Sequence, residues 1–243
     1  MTTAPGWLTA RPYAHRGLHD GNRTIPENSR AAARAAMRAG FGIECDLQLS
    51  ADGVPLVFHD DDLARLTVMG GDVRAMESDE ARRLNLCGTE ETIPTFADFL
   101  SLVGGRVPLL IELKGRSAGE DAHFADTVCA ALSGYDGPAA LMSFAPHLVS
   151  ACRKVCPDRP VGLTAEGATE AEFEAHRRVA GHGLDFVSYD HAALPNAFTQ
   201  SLRAQSIPVL CWTIRSKEEA AAALSSCEQI TFEGFLPDDV AAA

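Results

Sequence analysis

The chain has 243 residues, a formal net charge of −12 and 46% hydrophobic residues. The length suits one barrel of ~250 residues or two smaller units. The apolar fraction supports a sizeable core, and an acidic balance without a basic stripe argues against nucleic acid as a partner. The seven cysteines are odd in number, scattered and without a CxxC pair, a pattern expected of free thiols in a reducing compartment. Cys152 and Cys156, one helical turn apart, read as helix packing. Residues 1–11 lack an apolar segment of signal-peptide length and no stretch is long enough to span a bilayer, so a soluble, cytoplasmic protein is expected.

The first strand is expected over 12–14, with Pro12 tolerated at its start, and ends at His15-Arg16-Gly17. After a polar loop over 18–26, Asn28 or Ser29 caps a helix over 31–39 that Gly40 stops. Gly42-Ile43-Glu44-Cys45-Asp46-Leu47 is an apolar, β-prone run. On a strand Glu44 and Asp46 point to one face. Two carboxylates aimed at one spot repel unless a proton or cation intervenes, and a hard divalent cation is the simplest partner. The alternative is an edge strand with a solvated acidic face.

Ala51-Asp52-Gly53 signals a hairpin. A two-residue turn at Asp52-Gly53 pairs Ala51 with Val54 and sets His59 opposite Asp46, on the same face. A three-residue loop would slip the register and turn His59 away. Residues 60–93, with Gly70-Gly71 and a short helix near 78–84, are the least regular part and are expected to form a lid or rim.

Thereafter helices over 95–103, 121–132, 146–155, 170–179, 196–205 and 218–224 lead into strands over 107–114, 139–144, 161–164, 186–189, 209–213 and 229–232. Such alternation means a parallel sheet with crossovers. The seven residues between Leu47 and Pro55 cannot hold a crossover helix, so the strand carrying His59 is only the return arm of a hairpin. The expected fold class is α/β: a (β/α)8 TIM barrel, one domain over 1–243, with a short hairpin and an irregular insert after the second strand.

Active sites of such barrels form at the C-terminal strand ends. Those ends carry His15 and Arg16, Glu44 and Asp46, Glu112 and Lys114, Ser143, Thr164, Asp190, Trp212 and Glu233. Glu112 and Lys114 repeat the alternate spacing of Glu44 and Asp46. Charges in a central strand are costly unless paired or bound to metal, so these two either join the site or form a salt bridge in the barrel mouth. The histidines at 19, 123, 147, 176, 182 and 191 carry no such signal, although His19 lies in the first loop, near the mouth.

His15-Arg16-Gly17, Pro26-Glu27-Asn28, Glu44-x-Asp46, Ala51-Asp52-Gly53, Phe58-His59-Asp60, Ile93-Pro94-Thr95 and Ile111-Glu112-Leu113-Lys114 occur in this order. The ordered set resembles the glycerophosphodiester phosphodiesterase family, whose barrel is of the phosphatidylinositol-phospholipase-C-like kind. The resemblance implies metal-dependent hydrolysis of a small-molecule glycerophosphodiester to glycerol 3-phosphate and an alcohol. It places one divalent cation, Mg²⁺ or Ca²⁺, on Glu44, Asp46 and Glu112, and an acid/base pair on His15 and His59. Arg16 and Lys114 suit a phosphate, as a fork and a point charge. Trp212 offers an aromatic face to the glycerol carbons, or is a core aromatic at the rim. The alternatives are a non-catalytic phosphate-binding barrel, or a related phosphodiesterase or lysophospholipase D acting on another diester. The chain departs from the family at Thr231-Phe232-Glu233-Gly234, where many members have Thr-Asp before Arg-Pro, and at Arg215, where asparagine is frequent. Both departures surround the pocket and bear on which alcohol is released.

Overall fold

The computed structural model describes residues 4–237. Its nine strands are β1 (Tyr13–Ala14), β2 (Gly42–Leu49), β3 (Pro55–Val57), β4 (Leu109–Leu113), β5 (Ala139–Ser143), β6 (Val161–Ala165), β7 (Phe186–Asp190), β8 (Val209–Ile214) and β9 (Gln229–Phe232). All but β3 run parallel and close into a ring, β1 pairing with both β2 and β9, while β3 pairs antiparallel with β2 outside it. The helices are α1 (Arg30–Ala39), α2 (Ser78–Ala81), α3 (Phe96–Val103), α4 (Phe124–Leu132), α5 (Pro146–Val155), α6 (Glu170–Ala180), α7 (Ala197–Arg203) and α8 (Lys217–Ala223). This is the expected (β/α)8 barrel with its hairpin and insert. Among the described residues no helix is long and apolar enough to cross a membrane.

Local chemistry explains why these segments form. The Ser29 hydroxyl accepts from Ala32 N at the start of α1, and Gly40 ends it in the left-handed region. Ala32, Ala33 and Ala36 are the buried face of α1, small enough for close packing. Gly17 meets that helix at a point where a Cβ would stand 2.8 Å from the Ala32 Cβ, and its φ is +78°. Only glycine meets both demands without strain.

The period-2 alternation of the strands builds two separate interiors. Ile43, Cys45, Leu47, Leu109, Ile111 and Leu113 face outward into the main core between sheet and helices. Tyr13, Leu110, Ala140, Met142, Phe186 and Leu210 join Leu8 in a second cluster that plugs the barrel interior. Fully burying a side chain of this kind is worth ~1.5–3 kcal/mol, and the plug gives the mouth above it a firm floor. The insert has its own small core of Leu56, Phe58, Leu63, Leu66, Val73, Ala81, Leu86 and Ile93. Its helix is a single turn, Ser78–Ala81, shorter than the pattern suggested.

Two expectations are corrected. The β2–β3 register pairs Leu47 with Val57 and Leu49 with Pro55, so Asp46 stands opposite Phe58 rather than His59. The loop is the three-residue Ala51-Asp52-Gly53, closed by Ser50 N to Val54 O (3.0 Å) and Gly53 N to Ser50 O (3.0 Å). A two-residue type I′ turn needs positive φ at both central residues, and here Gly53 has it and Asp52 does not. The Asp52 carboxylate is held instead by Ser50 Oγ (2.6 Å) and by the amide and hydroxyl of Ser78 (2.8 and 2.7 Å). The second correction concerns the cysteines. Packing of α4 on α5 brings Cys129 and Cys156 together as a disulfide pair, Cα atoms 5.7 Å apart, whereas Cys45, Cys87, Cys152, Cys211 and Cys227 are free thiols.

Candidate active site

A cavity of about 310 Å³ opens at the C-terminal mouth of the barrel, and His15, Arg16, Glu44, Asp46, His59, Glu112, Lys114 and Trp212 all line it. Every residue singled out as catalytic, metal-ligating or substrate-binding is thus in one place. His59 arrives despite the slipped register. The chain leaves β3 at Val57, Phe58 turns into the core of the insert, and the next residue swings back over the mouth. Ser143 and Asp190 serve the fold instead. Ser143 Oγ donates to Leu113 O (2.7 Å), and the Asp190 side chain caps the short helix His191–Ala193.

Glu44, Asp46 and Glu112 each offer an oxygen, all within 4.8 Å of one another, and all three side chains are buried. Register explains the cluster: Asp46 is the cross-strand partner of Glu112, and Glu44 precedes Asp46 on the same face. Burial, then the charges of Asp46 and Glu112, push the Glu44 carboxyl well above its ordinary range. Burial likewise raises Glu112, in part offset by Lys114. Burial also opposes ionisation of Asp46, but Lys114, His59 and Arg16 outweigh it and hold Asp46 low. A buried oxygen cluster in which ionised carboxylates repel suits a hard divalent cation. Lys114 Nζ lies 2.6 Å from Glu112 Oε1 and 3.2 Å from Asp46 Oδ1, so the salt bridge foreseen at this spacing exists inside the cluster.

Each histidine is backed by a carboxylate. His59 Nδ1 donates to Asp60 Oδ1 at 2.6 Å, and His15 Nδ1 donates to Glu233 Oε2 at 2.6 Å. An ionised carboxylate only accepts, so each ring carries its proton on Nδ1 when neutral. Burial pulls both imidazoles below their ordinary value, against the pull of the acidic groups around them.

Arg16 is held in the left-handed region, φ +54°, by its amide on Glu44 Oε2 (2.9 Å) and by Asn28 N on its carbonyl (2.8 Å). Positive φ at a non-glycine residue is costly and persists where the surroundings impose it. Asn28 Nδ2 also donates to Asp46 Oδ2 at 2.9 Å. Sequence reasoning missed a chain of ion pairs that starts from Arg16. Its Nη1 donates to Glu27 Oε1 (2.6 Å), Arg65 forks onto Glu27 (2.7 and 2.8 Å), and Arg65 Nε donates to Asp60 Oδ2 (2.5 Å). The phosphate candidate and His59 are thereby linked through a residue of the insert. Glu27 and Asp60 lie within the quoted motifs and could have been found there. Glu233 was marked by its place at a strand end and by its departure from the family pattern, though not its pairing with His15, and Arg65 had no local signal. Trp212 Nε1 donates to Ser188 O (3.1 Å), and Phe144 packs edge-on to the indole, centroids 5.6 Å apart.

Buried carboxylates, guanidinium, ammonium and two imidazoles around one barrel mouth define a class, the barrel hydrolases of anionic esters. The model of the Glycerophosphoryl diester phosphodiesterase family matches residues 15–241, and the chain belongs to that family of phosphoric diester hydrolases. A glycerophosphodiester phosphodiesterase of Caldanaerobacter subterraneus subsp. tengcongensis is 24% identical over 93% of both chains. One of Bacillus altitudinis is 38% identical over 42% of this chain and 43% of its own. Among solved structures, an Oleispira antarctica phosphodiesterase in complex with the product sn-glycerol-3-phosphate superposes with a TM-score of 0.81 at 22% identity, covering 91% of this chain and 92% of that one. A second, from Silicibacter pomeroyi, gives 0.78 at 23% identity over 92% and 89%.

Proposed function

We propose that the protein hydrolyses glycerophosphodiesters to glycerol 3-phosphate and an alcohol, using His15 and His59 as its acid/base pair. The observation that carries this reading is the convergence of two carboxylate-backed imidazoles, three buried carboxylates and two cationic side chains on one cavity. Arg16 and Lys114 hold and neutralise the phosphate. A divalent cation, Mg²⁺ or Ca²⁺, held by Glu44, Asp46 and Glu112 would supply Lewis-acid charge to the phosphate oxygens. One imidazole takes a proton from the attacking hydroxyl as the new P–O bond forms, and the other gives a proton to the alcohol oxygen as the old one breaks. The attacker is water, or the neighbouring glycerol hydroxyl through a cyclic phosphate. Trp212 packs on the glycerol carbons. The chain is taken to work in the cytoplasm: five of its seven cysteines are free thiols, although Cys129 and Cys156 are paired.

The test is turnover of choline, ethanolamine, inositol and glycerol esters of glycerol phosphate, before and after metal stripping with EDTA and after return of Mg²⁺ or Ca²⁺. Turnover that EDTA abolishes and metal restores is expected. Full activity in verified metal-free enzyme removes the cation from the mechanism, and inertness towards the whole panel favours the binding-protein alternative.

A further inference from the structure

We infer that Glu233 is a positioning residue for His15, and that Arg215 fixes it in that role. The inference rests on the acid/base role of His15 proposed above.

Barrel closure builds the pair. Ala14 is the register partner of Phe232, and His15 N donates to Phe232 O (2.9 Å), so the residues that follow β1 and β9 emerge side by side although 218 positions separate them in sequence. Glu233 N donates to Ile214 O (3.0 Å), which anchors its backbone to the end of β8. Its two oxygens then divide their tasks. Oε2 accepts from His15 Nδ1 at 2.6 Å, while Oε1 accepts from Arg215 Nε at 2.9 Å, with Nη2 at 2.8 Å. The groups that face His15 are Glu233 beyond β9, Arg16 in its own loop and Asp46 on β2, with His19 Nε2 of the first loop 3.7 Å from the Glu233 carboxylate.

The two departures from the family pattern at these ends, Arg215 and Glu233, are therefore one feature, a guanidinium clamped to the carboxylate that orients a catalytic ring. A carboxylate on Nδ1 fixes the tautomer, leaves Nε2 for proton exchange and stabilises the imidazolium when it forms. His59 has the same arrangement from its sequence neighbour Asp60, so the two rings of the pair are oriented by equivalent groups of different origin.

The test is a double-mutant cycle with glycerophosphocholine. Glu233→Gln is expected to lower kcat by about tenfold to a hundredfold, the range for losing a charge-assisted hydrogen bond, with KM within about threefold. In a His15→Ala background the same substitution should change kcat by less than about twofold, because a residue that acts through His15 has nothing left to act on. Arg215→Gln, which loosens the clamp and keeps the carboxylate, should give a smaller loss that likewise disappears in the His15→Ala background, and it serves if Glu233→Gln does not fold. Equal losses in both backgrounds, or wild-type kcat for Glu233→Gln, overturn the inference. If the wild-type enzyme turns over no glycerophosphodiester, the functional reading fails, and the pairing is judged from the imidazole ¹⁵N spectrum alone. A neutral His15 protonated on Nδ1 in wild type and on Nε2 in Glu233→Gln upholds it, and an unchanged tautomer refutes it.

Discussion

Glu27 offers the sharpest test of the electrostatics, because its carboxylate joins two guanidinium groups under the mouth. Its side chain is only 4% exposed and accepts from Arg16, from both terminal nitrogens of Arg65 and from Asn22 Nδ2 (2.7 Å). Burial pushes the carboxyl up, but the hydrogen bonds from Arg65 and the charge of Arg16 outweigh it and hold Glu27 at about 2 against an ordinary 4.5. That difference corresponds to ~3 kcal/mol of folding stability. Arg65 is 44% exposed, so solvent screening reduces the expected contribution to ~2 kcal/mol. The sign follows from the depression: the ionised form carries the stabilisation, which is full above the unfolded value of 4.5 and is lost as pH falls through about 2. Glu27→Gln should therefore cost ~2 kcal/mol at pH 7, and roughly half or less of that at pH 3. Urea unfolding followed by circular dichroism at both pH values, in EDTA so that metal occupancy does not enter, measures the difference. A cost below ~0.5 kcal/mol at pH 7, or an undiminished cost at pH 3, would refute the assignment of Glu27 as the charged link between Arg16 and Arg65.

Two further outcomes are expected. His15→Ala and His59→Ala should each lower turnover of a natural ester by ~10²–10⁴-fold, and just one should be substantially rescued by a p-nitrophenyl diester, whose leaving group needs no proton; natural-ester turnover near wild type in either variant contradicts the paired roles. Thr164 Oγ1, Ser188 Oγ and Thr231 Oγ1 lie along the cavity wall with no hydrogen-bond partner among the described residues, so Thr164→Val, which removes no hydrogen bond to another residue, should leave the melting temperature nearly unchanged, and a clear drop in melting temperature would contradict this.

The sequence by itself determined the barrel and most of the site. Strands and helices alternate at readable spacing, and period 2 alone puts Glu44 with Asp46 on one face of their strand and Glu112 with Lys114 on one face of theirs; barrel register then makes these the same inner face. Ser29 and Gly40 marked the ends of α1 because capping is a local matter, decided within a turn of the chain. The hairpin register was not legible, because Asp-Gly is compatible with both a two- and a three-residue loop, and the three-residue loop is held both by Ser50 within the hairpin and by Ser78, which grips Asp52 from 26 residues away. The same holds for Arg65 and Glu233. Arg65 carries no local mark, and Glu233, singled out by its strand end and by the departure from the family pattern, gives no local sign that its partner is His15. Arg65 reaches Asp60 and Glu27 because the insert packs its own small core around Phe58, next to His59, and Glu233 reaches His15 because β9 closes the ring on β1. Partners set by closure and packing lie far apart in the chain, and their pairing is decided by the tertiary structure, where burial makes an unpaired charge costly and selects the arrangement in which each one finds its counterpart.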